Sequence, residues 1–179
     1  MTQEKPLAPE LAVQRWFNTT SPVTLAGLRG KVVVLHAFQM LCPGCVSDAI
    51  PLARRLHALA RGSDLVVLGI HTVFEHHAAM TPVALEAFLH EYRVTFPVAV
   101  DAPSGSGPIP RTMAAYGMRG TPSTVVIGRD GRIVSHTFGS EDDLALGLQL
   151  GALLALPGSA SETHAAPDGC TDAGCAAKP

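Results

Sequence analysis

The chain has 179 residues, a formal net charge of −2 and four cysteines, which suits one well-packed domain and leaves little room for a second. With 47% apolar and only 16% charged residues, the chain as a whole is not intrinsically disordered. Its 13 basic residues are outnumbered by 15 acidic ones and form no run, which removes any general electrostatic drive toward nucleic acid or an anionic membrane.

In chain order, the opening segment MTQEKPLAPELAVQRWF has no basic stretch followed by an apolar run, and residues 1–22 read as an N-terminal extension. No uncharged apolar stretch approaches bilayer length. A soluble, cytoplasmic protein is therefore expected, and in a reducing compartment cysteine pairs point to catalysis or metal before structural staples. Lys31 to Phe38 is an apolar, β-branched run after Gly30 and reads as a buried strand. Pro43 to Ala60 carries Val46, Ile50, Ala53, Leu56 and Leu59 at helical spacing. Asp64 to Ile70 is a second buried strand. Thr81 to Tyr92 is a helix with Thr81 as N-cap and Pro82 at the first helical position. Phe96 to Val100 is a short strand and Arg111 to Tyr116 a short helix. Ser123 to Ile127 and Arg132 to Phe138 flank an Asp130-Gly131 turn and should pair as a hairpin. Asp142 to Leu156 closes the series as a helix with an acidic start. This order argues for a three-layer α/β domain over residues 1–156, a mixed central sheet flanked by helices. Residues 157–179 contain no Val, Leu, Ile, Met or aromatic residue and read as a flexible tail that carries Cys170 and Cys175.

The chemistry concentrates in Phe38-Gln39-Met40-Leu41-Cys42-Pro43-Gly44-Cys45, between a strand and a helix. Cys42 falls at the N-cap and Pro43 at the first helical position, where a missing N–H is harmless. Free N–H groups at a helix start favour a thiolate, which makes Cys42 the nucleophile. Cys45, one turn in, is spaced to resolve a mixed disulfide and is expected to be the less exposed of the two. The same spacing also occurs in zinc sites, so metal binding and inert thiols stay open beside redox chemistry, which the strand-to-helix context favours.

These residues, together with LAGLRGKVVVLHAFQMLCPGC, VVLGIHTVF, VTFPVAVDA and GMRGTPSTVVIGRDGRIV, resemble the thioredoxin superfamily, in its branch of TlpA- and redoxin-like thiol-disulfide oxidoreductases. The resemblance spans residues 20–156 and implies a thioredoxin-like fold. It also implies a cis peptide bond between Thr121 and Pro122, whose loop packs on the disulfide and pairs with substrate backbone. The residues alone leave that isomer open. The chain departs from the pattern in two places. Leu41 stands where a Trp usually precedes the first cysteine, and His36 stands where many relatives carry a buried acid or Asn. His36 is read first as a satisfied core histidine, with a proton relay to Cys45 as the sharper alternative. A peroxidase of the same fold needs Pro and Thr or Ser seven and three residues before its cysteine. Here those positions are Leu35 and Gln39, or Phe38 and Cys42 in the other frame, and neither fits.

Around IHTVFEHH, His71 and Glu75 are candidate neighbours of the dithiol, against the blander reading of a solvated loop; Arg119 is a weak candidate for positive potential near the thiolate. Cys170 and Cys175 are an auxiliary dithiol, a soft-metal pair or inert. The expected function is disulfide exchange with a disulfide-bearing protein or small thiol, regenerated by an external electron donor. No cofactor, resident metal, nucleic acid or membrane partner is expected. A monomer is expected, with a dimer left open. A thiol-dependent peroxidase and a non-catalytic soft-metal carrier are the alternatives.

Overall fold

The computed structural model describes residues 5–156. Six strands form one sheet: β1 (Val13–Phe17), β2 (Val32–Phe38), β3 (Leu65–His71), β4 (Val98–Asp101), β5 (Ser123–Ile127) and β6 (Ile133–Phe138), in the order β1-β4-β3-β2-β5-β6. β2, β3 and β4 run parallel, while β1 and the β5–β6 hairpin are antiparallel to their neighbours. The parallel strands come from β-α-β crossovers through α1 (Ile50–Leu59) and α2 (Pro82–Glu91), and α3 (Arg111–Ala115) and α4 (Asp143–Ala155) complete the helices.

The alternation of side chains along β2 divides the core into two layers. Val32, Val34 and Phe38 face α1, α2 and α4, whereas Val33, Leu35 and Ala37 face Met113 of α3, Tyr116 and Leu25. All seven residues of β2 are buried, as expected of a strand covered on both faces. A mixed sheet with helices on both faces is the thioredoxin-like three-layer arrangement.

Two expectations need correction. Residues 43–60 are not one regular helix: Cys45–Ala49 form a π-helical turn, and α1 follows. Pro51 has no N–H to offer the Ser47 carbonyl and its ring crowds that oxygen, so the turn widens and the Ile50 N–H reaches back to the Cys45 carbonyl. The N-terminal extension also contains a strand. β1 pairs with β4, while Ala8 N–H donates to the Gly131 carbonyl and Ile133 N–H to the Pro6 carbonyl, both at 2.9 Å. This segment therefore covers β4 with an added strand and also bonds the start of the outer strand β6. The Asp130-Gly131 turn closes the hairpin as expected. Gly131 has φ +75°, and the Arg29 guanidinium occupies the place a Cβ would take. Although basic residues form no run in sequence, Arg54, Arg55, Arg61 and Arg93 line one groove of about 830 Å³, interspersed with Asp48, Glu141 and Asp143.

Asp101, His36 and His71 are among the polar side chains buried near the carboxyl ends of the strands. Asp101 accepts from the backbone N–H groups of Thr112 (2.8 Å) and Met113 (3.0 Å) and from the Thr72 hydroxyl (3.0 Å). It ties β3, β4 and the start of α3 together. His36 and His71 are each held by burial well below the usual histidine range, at about 4.

Replacing Asp101 by Ala leaves two backbone donors and a hydroxyl unpaired in the interior. It is expected to lower folding stability by about 3 kcal/mol, read from the urea midpoint. The histidines predict an acid limb. Their folded-state pKa of about 4 lies below the unfolded value of 6.5, so the unfolded chain binds protons first as pH falls. Stability present above pH ~6.5 should decline toward pH ~4, by up to about 3 kcal/mol per histidine. Urea unfolding across that window should show the decline, and His36→Asn or His71→Asn should flatten it.

Candidate active site

The dithiol stands where the central strand stops. β2 ends at Phe38, whose carbonyl accepts from Thr72 N–H at 3.1 Å, and the chain then turns as the Gln39 carbonyl takes the Cys42 N–H at 3.3 Å. Cys42 caps the helical segment as the spacing implied. Its carbonyl accepts from Val46 N–H at 3.1 Å, and its sulfur accepts from Cys45 N–H at 3.3 Å. A side-chain acceptor on the third N–H after it is the geometry of an N-cap. Both cysteines are free thiols, so the structure is the dithiol form.

From the other side comes the loop before β5. The Thr121-Pro122 bond is cis. The Cys42 thiol lies 3.4 Å from the Thr121 carbonyl, to which it donates. Pro122 is buried, and its ring lies 3.5 Å from the position a Cβ on Gly44 would take, so the motif's glycine faces the proline.

The two sulfurs differ sharply. Cys42 is partly exposed and Cys45 is wholly buried. Burial, then the hydrogen bond with Cys42, pushes the Cys45 thiol up to about 12; the Gln39 backbone and the Thr121 hydroxyl pull the other way and do not offset it. Only Cys42 can meet an external disulfide. Leu41, 58% exposed, sits beside it in place of the usual Trp. Beyond the proline loop, Phe138 is half exposed and packs against Gly120.

The other candidates are placed less centrally. His36 shares a hydrogen bond of 3.2 Å with Thr124 Oγ1 through Nδ1, while its buried Nε2 has no partner. Cys42, Gln39 and Thr121 are the groups that act on the Cys45 sulfur, and His36 is not among them. His71 is the last residue of β3 and packs on the Phe38 ring at 5.4 Å, while Glu75 is exposed in the following loop. Arg119 lies over the Phe138 ring, 5.0 Å from its centroid. Among the described residues no three His, Cys, Asp or Glu side chains gather as a metal site. Cys170 and Cys175 lie outside the described residues. Gln39 is the residue that sequence reasoning passed over. Its signal was a polar side chain ending an apolar strand, three residues before the dithiol.

The AhpC/TSA family model matches residues 6–136. A solved thioredoxin-like superfamily protein is 57% identical, with TM-score 0.81, over 85% of this chain and 98% of that one. A thiol-disulfide isomerase from Corynebacterium glutamicum is 49% identical, also with TM-score 0.81, over 85% and 97%. The thiol-disulfide oxidoreductase ResA of Bacillus thuringiensis is 24% identical over 119 residues, which is 66% of this chain and 61% of ResA. The chain thus spans less than two thirds of the length of that curated relative.

The cytoplasmic expectation does not stand. It rested on the composition of the first residues, and relatives of the ResA, DipZ and DsbE kinds work outside the cytoplasm. Among the described residues no helix is long and apolar enough to cross a membrane. By the extent of the match and the dithiol at the head of its helix, the chain belongs to the AhpC/TSA family, in the company of thioredoxin-like thiol-disulfide oxidoreductases.

Proposed function

We propose that the chain is a thiol-disulfide oxidoreductase acting through Cys42 and Cys45, with Thr121 and Pro122 as the loop against which substrate lies. The observation that carries this reading is the asymmetry of the pair. A partly exposed sulfur, Cys42, accepts a helix-start N–H, and the Cys45 sulfur beside it is fully buried and closed to an external disulfide.

In the reducing direction the Cys42 thiolate attacks one sulfur of a substrate disulfide. That S–S bond breaks, a Cys42–substrate bond forms, and the released thiolate takes a proton from solvent. Cys45 then loses its proton and attacks the Cys42 sulfur, forming the intramolecular disulfide and releasing the second substrate thiolate. Two electrons have passed to the substrate, and an external dithiol or other electron donor restores the protein. The oxidising direction is the same sequence reversed. The apolar margin formed by Leu41 and Phe138 suits a polypeptide substrate with apolar residues beside its cysteine.

Peroxidase chemistry is less well supported, because Gln39 occupies the position that should carry Thr or Ser and turns its side chain toward Thr121, not Cys42. An auxiliary role for Cys170 and Cys175 must cover a long path. α4 begins beside the π turn, where Ser140 bonds Asp48, and ends where the Leu154 carbonyl meets Arg129, which also holds Gly30 ahead of β2. Leu156 therefore leaves the domain at the pole opposite the dithiol.

Reduction of a protein disulfide in the presence of a regenerating dithiol should fall to background in Cys42→Ser. Cys45→Ser should accumulate a covalent substrate adduct on Cys42, visible by intact-mass measurement without reductant. Undiminished turnover in Cys42→Ser would sink the reading.

A further inference from the structure

The last helix, α4, is apolar on every side. Its inner face packs on the core, with Leu146 and Leu150 buried and Leu153 and Leu154 half-buried against them. On its outer side, every exposed position from 144 to 156 is Leu, Ala or Gly, and Leu144 and Leu148 are 81% and 78% exposed. Gln149 is the one polar residue in that stretch, and its side chain is taken by the Ser135 hydroxyl of β6, which donates to it at 3.0 Å. A helix that is apolar all round is ordinarily buried all round, and a monomer rarely leaves so continuous an apolar face in water.

Two glycines sharpen the anomaly. Glycine inside a helix costs stability relative to alanine. Neither Gly147 nor Gly151 has a positive φ, and a Cβ on either would meet nothing within 4 Å. Backbone conformation and packing within the domain therefore give no reason for a glycine at either place. Both are exposed, one turn apart, and leave a gap in the outer face beside Leu148.

We propose that this face is a docking surface for a second copy of the chain, with the two α4 helices antiparallel about a two-fold axis between Gln149 and Leu150. In that register Leu148 of one copy meets the partner's Gly151, and Leu144 meets the partner's Ala155. Each large side chain is set against a small one, the self-complementarity that a two-fold interface requires. A parallel pairing would instead set Leu148 on Leu148 and Gly151 on Gly151. Charge favours the same arrangement. Glu141 and Asp142 make the start of α4 acidic, whereas Leu156 at its end shares a groove with Lys5, Arg129 and Arg132, opposed there by Asp130 alone. The two-fold brings the acidic start of each copy toward the basic end of the other, and antiparallel helix dipoles add to this. With 13 residues, α4 offers about 20 Å of contact, a small interface that suits association in the micromolar range.

Sedimentation velocity of the full chain tests this, in excess reductant so that no disulfide links two copies. Between about 1 and about 200 μM the parent should pass from monomer to dimer, and Leu148→Lys and Gly151→Glu should each weaken association at least about tenfold. Mixed in equal amounts, the two variants should dimerise again, because one of the two symmetric contacts then joins opposite charges and the other is unaltered. Gly151→Ala should raise the melting temperature of the dilute monomer and still weaken the dimer, which a glycine needed by the domain itself would not do. A parent that stays monomeric throughout, a single variant that dimerises like the parent, or a mixture that stays monomeric overturns the proposal. A monomeric parent that instead pellets with phosphatidylcholine vesicles, and loses this in Leu148→Lys, gives the face to a lipid surface and overturns it as well.

Discussion

The site depends on one junction, at the sulfur of Cys42. Three pieces of backbone meet there: the turn leaving β2, the first N–H groups of the helical segment and the cis Thr121-Pro122 loop. The sulfur accepts from one peptide and donates to another, at 3.3 and 3.4 Å. Such a position is only as stable as the elements behind it. β2 is buried along its whole length and paired on both sides, and β5 follows the proline loop at once, so neighbouring strands hold both walls of the site.

The same junction sets the difference between the cysteines. They are three residues apart, yet one lies at the surface and the other in the main hydrophobic cluster with Phe38, Ile50 and Ala53. Two hydrogen-bond donors act on Cys45, and burial still carries its pKa from 9.0 to about 12. Desolvation outweighs the local hydrogen bonds there. A thiol so placed is protected from outside reagents, which suits the resolving role proposed for it.

Much of this was legible in local patterns. The apolar run of β2, the Thr81 cap, the acidic start of the last helix, the Asp130-Gly131 turn and the Cys-Pro-Gly-Cys step all act within a few residues, and the structure places each of them close to expectation. Elements that depend on distant partners were not legible. β1 reads as loop because Gln14 and Arg15 interrupt its apolar residues; it is a strand through its bonds to β4. The π turn came from a single proline whose effect was outweighed in the helical pattern by five well-spaced apolar residues. His71 looked like part of a loop cluster with Glu75, but it ends a buried strand and packs at a tilt against the Phe38 ring.

Sequence alone determined the order of strands and helices from β2 onward, the place of the dithiol at a strand-to-helix step and the capping position of Cys42, because those follow from spacing and from backbone chemistry within one turn. Tertiary structure decided how far burial raises the Cys45 pKa, that Gln39 reaches Thr121, that Arg119 lies over Phe138 and that four scattered arginines share a groove. Each of these joins residues far apart in the chain or depends on how much water the packed layers exclude. Neither is written in any local pattern; both arise only when the sheet and its covering helices pack together.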